Sequence, residues 1–196
     1  IRNLSPADAR AVYRNTALDL RRYKRIELFV HGEALLDDDT RLSNGDLSVF
    51  IRVGSDYVNN YYEYAVPLSL TPYGVYSSDV AQDRAAVWPK SNKMEFPLSL
   101  FTDLKLARNA AAASGSAMAD FYHRFSRPDE ENPANSVTVV GNPSLSNVKT
   151  IMIGVRNASG RVKSAEVWVN ELRLSDYQEH GGWAANADVQ VQLSDW

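Results

Sequence analysis

Cysteine is absent from the 196-residue chain. That excludes disulfides, thiolate zinc sites and cysteine nucleophiles. It leaves the compartment open, because a chain with an adequate core needs no staples even in an oxidising space. No run of about 18 apolar residues occurs, so no transmembrane helix is expected. Positive charge is not in excess: 21 Lys and Arg stand against 24 Asp and Glu, for a formal net charge of -3. This argues against nucleic acid as a partner. The 3 histidines, His31, His123 and His180, share no metal-ligand spacing, and HExxH is missing. So are the G-x-S-x-G elbow, the P-loop and the dinucleotide fingerprint. No internal repeat of about 20 to 50 residues appears.

What is present is globular. Hydrophobic residues make up 44% of the chain and charged residues 23%, enough apolar material for a core. The length suits one domain, or one domain with an appendage. The chain opens on Ile1 and stops at Trp196 inside a patterned run, as expected of a segment from a longer protein.

Residues 4–15 predict a short helix. Ser5 can cap it, Pro6 suits the first helical position, and Asp8 falls in the first turn. Ala9, Val12 and Tyr13 have the spacing of one apolar helix face. After that the period changes to two. Ile26, Leu28 and Val30 form one alternating set, and Leu47, Val49, Ile51 and Val53 another, behind the turn signal Asn44-Gly45-Asp46. Residues 61–66 read as a third strand ended by Pro67. Residues 71–92 look like a long loop.

Residues 94–98 predict a short edge strand and residues 99–109 a helix. Residues 110–135, with an alanine run, Ser-Gly-Ser and an acidic proline-containing stretch, predict an irregular excursion. Strands follow at 137–140, 150–156 and 166–174. In the last, Val167 and Val169 have one parity and Leu172 and Leu174 the other. A bulge near Asn170-Glu171 brings all four to the core; without it the strand is covered on both sides. About six to eight strands with two short helices and no regular βαβ alternation predict a mainly β fold. The expected architecture is an antiparallel, jelly-roll-like β-sandwich of the galactose-binding-like kind. The sandwich is assigned to residues 1–180. Gly181-Gly182 is a hinge, and residues 181–196 start a following strand. There Asn186, Asp188, Gln190 and Gln192 alternate with Ala187, Val189, Val191 and Leu193, as in a membrane barrel strand.

Chemistry-bearing clusters are sparse. Glu166 and Glu171 have opposite parity on a regular strand, which weakens them as a glycosidase pair. Asp37-Asp38-Asp39 offers oxygen ligands for Ca²⁺ but reads more simply as a solvated turn. The run Arg21, Arg22, Lys24 and Arg25 is diluted by Asp19 and Glu27 and reads as a solvated rim. No catalytic residue, cofactor or metal ligand is assigned. Aromatic residues gather between Tyr57 and Trp88. Tyr57, Tyr61, Tyr64 and Trp88 are candidates for a glycan platform, since flat rings cover the apolar face of a sugar. Core packing is the competing reading for these rings.

Three phrases carry a family resemblance. They are Ser55-Asp56-Tyr57-Val58-Asn59-Asn60-Tyr61-Tyr62-Glu63-Tyr64, Glu166-Val167-Trp168-Val169-Asn170-Glu171-Leu172-Arg173-Leu174, and Gly181-Gly182-Trp183-Ala184-Ala185. With Leu18-Asp19-Leu20-Arg21-Arg22-Tyr23-Lys24, their order resembles a segment of the SprA/Sov proteins of Bacteroidetes. That family forms the outer-membrane translocon of the type IX secretion system and is tied to gliding motility. The resemblance implies a non-enzymatic accessory domain of an outer-membrane protein-export channel. It would pack on the parent β-barrel and contact exported cargo or accessory secretion-system proteins. It would lie at the outer membrane on the extracellular side, where barrel proteins carry their longer insertions, with the periplasmic side as the alternative. The alternative is a carbohydrate-binding module reading surface polysaccharide through the exposed aromatics.

Overall fold

The computed structural model describes residues 1–37 and 40–177. Nine strands and two α-helices occur among them. In chain order these are β1 (Ala9–Leu18), β2 (Arg25–Glu33), β3 (Leu47–Gly54), β4 (Tyr61–Pro67), α1 (Ala81–Val87), β5 (Met94–Pro97), α2 (Ser99–Ala113), β6 (Phe125–Pro128), β7 (Ser136–Val140), β8 (Val148–Asn157) and β9 (Glu166–Ser175). Two antiparallel sheets form, one ordered β1-β8-β3-β4-β7-β6 and one ordered β5-β2-β9. The protein is mainly β, and its layers are compatible with a jelly roll.

Alternation decides which side chains meet. Ile26, Leu28 and Val30 of β2 join Leu47, Val49, Ile51 and Val53 of β3 and Tyr62, Tyr64 and Val66 of β4 in one buried cluster. Tyr64 stacks on Phe96 of β5 with ring centroids 3.9 Å apart, which ties the two sheets together. Helix α2 adds Phe101 and Leu104 to the same core, and Phe101 stacks on Tyr62 at 5.0 Å.

The turn at Asn44-Gly45-Asp46 forms as expected. Gly45 has φ +81, and the Asp46 N–H donates to the Ser43 carbonyl at 3.1 Å. The bulge in β9 is also present. Glu27 pairs with Arg173 and Phe29 with Asn170, so Glu171 and Leu172 together stand against Leu28. Glu171 takes φ +54 there. Val167, Val169, Leu172 and Leu174 consequently all reach the core.

Residues 4–15 are not a helix. The Asp8 N–H donates to the Ser5 carbonyl at 3.1 Å, and Ala7 has φ +61, so Ser5 to Asp8 is a tight turn. Ser, Pro and Asp serve turns as readily as helix starts. From Ala9 the chain is extended and pairs with β8 residue by residue, from Ala9 with Arg156 to Asn15 with Thr150. Val12 and Tyr13, read above as one helix face, lie on opposite faces of the sheet.

The excursion at 110–135 is more regular than expected. The alanine run continues α2 to Ala113, consistent with alanine's helix propensity. Gly115 then closes it at φ +87, its N–H donating to Ala112 and that of Ser116 to Ala111. That is a Schellman stop. Further on, β6 adds to the outer edge of β7. The loop at 71–92 carries α1, and Asn92 pins it. Its Oδ1 accepts from the Ser69 N–H and its Nδ2 donates to the Ser69 carbonyl, both at 2.7 Å. The hinge at Gly181-Gly182 and the strand expected after it lie outside the described residues.

Candidate functional site

Three surfaces carry the chemistry of the fold. The first is the outer face of the large sheet. In β4 the residues between the core tyrosines point the other way, which places Glu63 in the middle of that face. Glu63 is only 1% exposed. Arg52 sits directly opposite on β3 and donates Nε to Glu63 Oε2 at 2.6 Å. Arg156 of β8 donates Nη2 to both carboxylate oxygens, at 3.1 and 2.9 Å. Arg124, just before β6, donates Nη2 to Oε1 at 2.9 Å. Burial pushes the Glu63 carboxyl up, but the hydrogen bond from Arg156 and the charges of all three guanidiniums outweigh it. The net result lies below the usual carboxylate value. Aromatic faces support the cations. Arg52 lies 4.2 Å from the Tyr61 ring centre, and Arg156 lies 4.6 Å from that of Phe50.

The second surface is the outer face of the small sheet. His31 is buried there, with Nδ1 2.8 Å from the Val87 carbonyl and 3.0 Å from Thr71 Oγ1. Its ring sits between Trp88 at 5.9 Å and Trp168 at 5.6 Å. Beside this cluster a cleft of about 310 Å³ is lined by Phe29, Arg84, Ala85, Trp88, Asn170 and Glu171. A second cleft of about 260 Å³ shares Arg84 and Trp88 and is bordered by Tyr76 and Asp83.

The third surface is an edge. β1 ends the large sheet, so its far side has no partner strand among the described residues. Residues 9–15 are exposed, Val12 at 47% and Tyr13 at 55%. Arg10, Val12 and Arg14 share the face that Ile151, Ile153 and Val155 present on β8.

The four candidate platform rings do not gather. Tyr61 is buried against Arg52 and also accepts from Arg124 at 3.3 Å. Tyr64 is a core residue whose hydroxyl donates to Asp129 Oδ2 at 2.6 Å, and burial holds its pKa well above the usual tyrosine value. Tyr57 is half-buried against Phe50, Ala65 and Met152. Trp88 borders both clefts on the small sheet.

The remaining candidates have local partners. Glu166 accepts from the Trp168 indole N–H at 2.7 Å, and Glu171 pairs with Arg173. Asp37 pairs with Arg2 at 3.0 Å, while Asp38 and Asp39 lie outside the described residues. Asp19, in the basic run, binds Arg21 at 2.7 Å, and that hydrogen bond lowers its pKa to about 2. His123 contacts Asp120, and His180 lies outside the described residues. No cluster of three or more His, Asp or Glu side chains with metal-holding geometry occurs among the described residues.

A family model described as a motility related/secretion protein, SprA_N, matches residues 1–196, the whole chain. The chain belongs to this family. None of the curated proteins matches it. SprA_N membership carries a role in motility or secretion, and so a place at the cell envelope with a larger secretion system. None of the described helices is long and apolar enough to cross a membrane, which leaves β-barrel insertion untouched.

Sequence reasoning missed the Glu63 cluster, the Phe29–Trp168 surface and the open edge of β1. One signal for the cluster was there to read. Glu63 is a lone charge within a strand of aromatic and apolar residues, and Arg52 is its counterpart in β3. A charge placed so centrally calls for a cross-strand partner.

Proposed function

We propose that this SprA_N-family chain is a non-enzymatic accessory domain of an outer-membrane protein-export channel, the type IX secretion translocon. It sits on the extracellular side and docks the parent barrel, an accessory secretion protein or exported cargo. The observation that carries this reading is the open edge of β1. The far side of β1, which no strand among the described residues pairs, is a template for one more strand. Arg10 and Arg14 flank Val12 on one face, so the added strand carries carboxylates opposite them. Self-association is disfavoured in the matching register: antiparallel pairing centred on Val12 sets Arg10 against Arg14 of a second copy. Residues 181–196 would lead from the sandwich into the next strand of the channel.

Photo-crosslinking in cells tests this. A photoreactive residue replaces Val12 in one strain and Val75 in another; Val75 is fully exposed, at 101%, and lies far along the chain in the 71–92 loop. Crosslinks from position 12 to secretion components or cargo, absent from position 75, support docking through β1. Crosslinks only to second copies, or none from position 12, reject it.

A carbohydrate-binding module working through Tyr57, Tyr61, Tyr64 and Trp88 needs those rings exposed in a row. Tyr61 and Tyr64 are 4% and 1% exposed, so the row lacks two of its members. The accessory-domain reading is therefore the better supported of the two.

A further inference from the structure

We propose that the cleft between α1 and β9, lined by Phe29, Arg84, Ala85, Trp88, Asn170 and Glu171, binds a pyranose unit of a neutral glycan. This site is separate from the β1 edge and does not depend on docking there.

Size comes first. About 310 Å³ is at the small end of ligand sites, which suits one or two sugar rings. Chemistry comes second. Trp88, Phe29 and Ala85 give an apolar wall. Asn170, exposed on the outer face of β9, adds an amide at the rim, while the Arg84 guanidinium is held on the Ser78 carbonyl and the Glu171 carboxylate on Arg173. A pyranose has that same division, with a face of C–H groups and a fringe of hydroxyls that donate and accept. Glu171 is already paired with Arg173, so a pyranose is held here by ring stacking and neutral hydrogen bonding rather than by an ion pair to that carboxylate.

The cleft is also preorganised. The Trp88 backbone N–H donates to the Arg84 carbonyl at 2.9 Å, which fixes the main chain of Trp88 at the end of α1. His31 backs its ring, itself held on Val87 and Thr71. Arg84 is anchored by Nη1 on the Ser78 carbonyl at 2.5 Å. Glu171 lines the cleft from the bulge, in a left-handed conformation that a glutamate does not adopt without strain. Bulges next to binding sites re-aim side chains in this way. Trp168 is two residues before Asn170 on the same face of β9 and is 55% exposed. Its indole N–H is held by Glu166, so it offers a second fixed ring for the next sugar unit.

The test is an NMR titration of the 196-residue chain with cello-, xylo-, manno- and chito-oligosaccharides, each up to about 10 mM, since single-ring sites bind weakly. The expected result is saturable movement of the Trp88 indole and Asn170 side-chain amide signals with at least one of the four. Affinity should fall at least about tenfold in both Trp88→Ala and Asn170→Ala and stay unchanged in Tyr57→Ala. Asn170 is exposed, so its variant keeps the test valid even if Trp88→Ala perturbs α1. Absence of movement with all four sugars overturns the proposal. So does binding that survives Asn170→Ala, or movement of the same signals by a polyproline peptide alone.

Discussion

Arg52 and Glu63 face one another directly across β3 and β4, with Nε 2.6 Å from Oε2, and Glu63 is almost completely enclosed. Arg124 and Arg156 complete a ring of three cations around one carboxylate. Such a cluster need not exceed a well-packed apolar patch in stability, but removing its single anion leaves the cations without a counter-charge. Glu63→Gln should therefore destabilise by about 3 kcal/mol or more. Arg124→Ala should cost less, because that side chain is 45% exposed and solvent screens it. Urea midpoints of the two variants check the order.

The same carboxylate predicts a pH dependence. Its folded pKa is depressed below the ordinary value of 4.5. The associated stability is complete above that unfolded value and is lost as pH falls through the lower folded one. Unfolding midpoints should hold steady from neutral pH to about 5 and then drop, and Glu63→Gln should flatten the drop. An identical acid limb in the variant would assign the loss to other carboxylates.

Tyr64 combines an apolar and a polar task. Its ring stacks on Phe96, while its hydroxyl donates to the buried Asp129 and accepts from Asn135 at 2.9 Å. Tyr64→Phe keeps the stack and strips a hydrogen bond from a carboxylate that is 3% exposed. The expected loss is about 1 to 3 kcal/mol. Tyr64→Ala opens a cavity between the sheets and should cost about 3 to 5 kcal/mol. Thermal unfolding of both variants separates the two contributions.

Where hydrophobic period and turn chemistry agreed, the sequence was legible. β2, β3 and β4 alternate cleanly, and the Asn-Gly-Asp turn needs the positive φ that Gly45 supplies. The bulge in β9 could be read because Leu172 and Leu174 break the parity of Val167 and Val169. β1 could not, because Ser5, Pro6 and Asp8 serve a turn as well as a helix start. Only pairing with β8, about 140 residues away in sequence, settles which one forms. The aromatic platform failed for a related reason. A tyrosine in a strand has the same sequence signature whether it faces sugar or core, and Tyr61 and Tyr64, three positions apart in β4, are buried on opposite faces of the large sheet. Phe29, Trp88 and Trp168 come from three distant segments, and nothing local announces that they share a face.

Because β1 is an edge strand and not a helix, its amides should exchange with period two. Along residues 9–15, those bonded to β8 should be protected and those facing outward should exchange rapidly. Continuous protection through the segment would restore the helix. Binding of a partner strand at this edge should protect the fast set selectively, which links the exchange experiment to the crosslinking one.

Glu171 provides the last prediction. At φ +54 in the bulge it occupies a region that favours glycine. Glu171→Gly removes the strain and gives up only the ion pair with Arg173, whose side chains are 44% and 53% exposed. Net stability should stay the same or rise by up to about 1 kcal/mol. Deleting Glu171 acts by another route. It removes the bulge's extra residue, so Leu172 stands directly against Leu28 and Val167, Val169, Leu172 and Leu174 fall into one regular alternation on the core face. The deletion should therefore be tolerated as well, with stability within about 1 kcal/mol of the parent chain. If instead the glycine variant unfolds in less urea than the parent chain, the carboxylate itself is holding the bulge closed and the left-handed conformation is not the dominant cost.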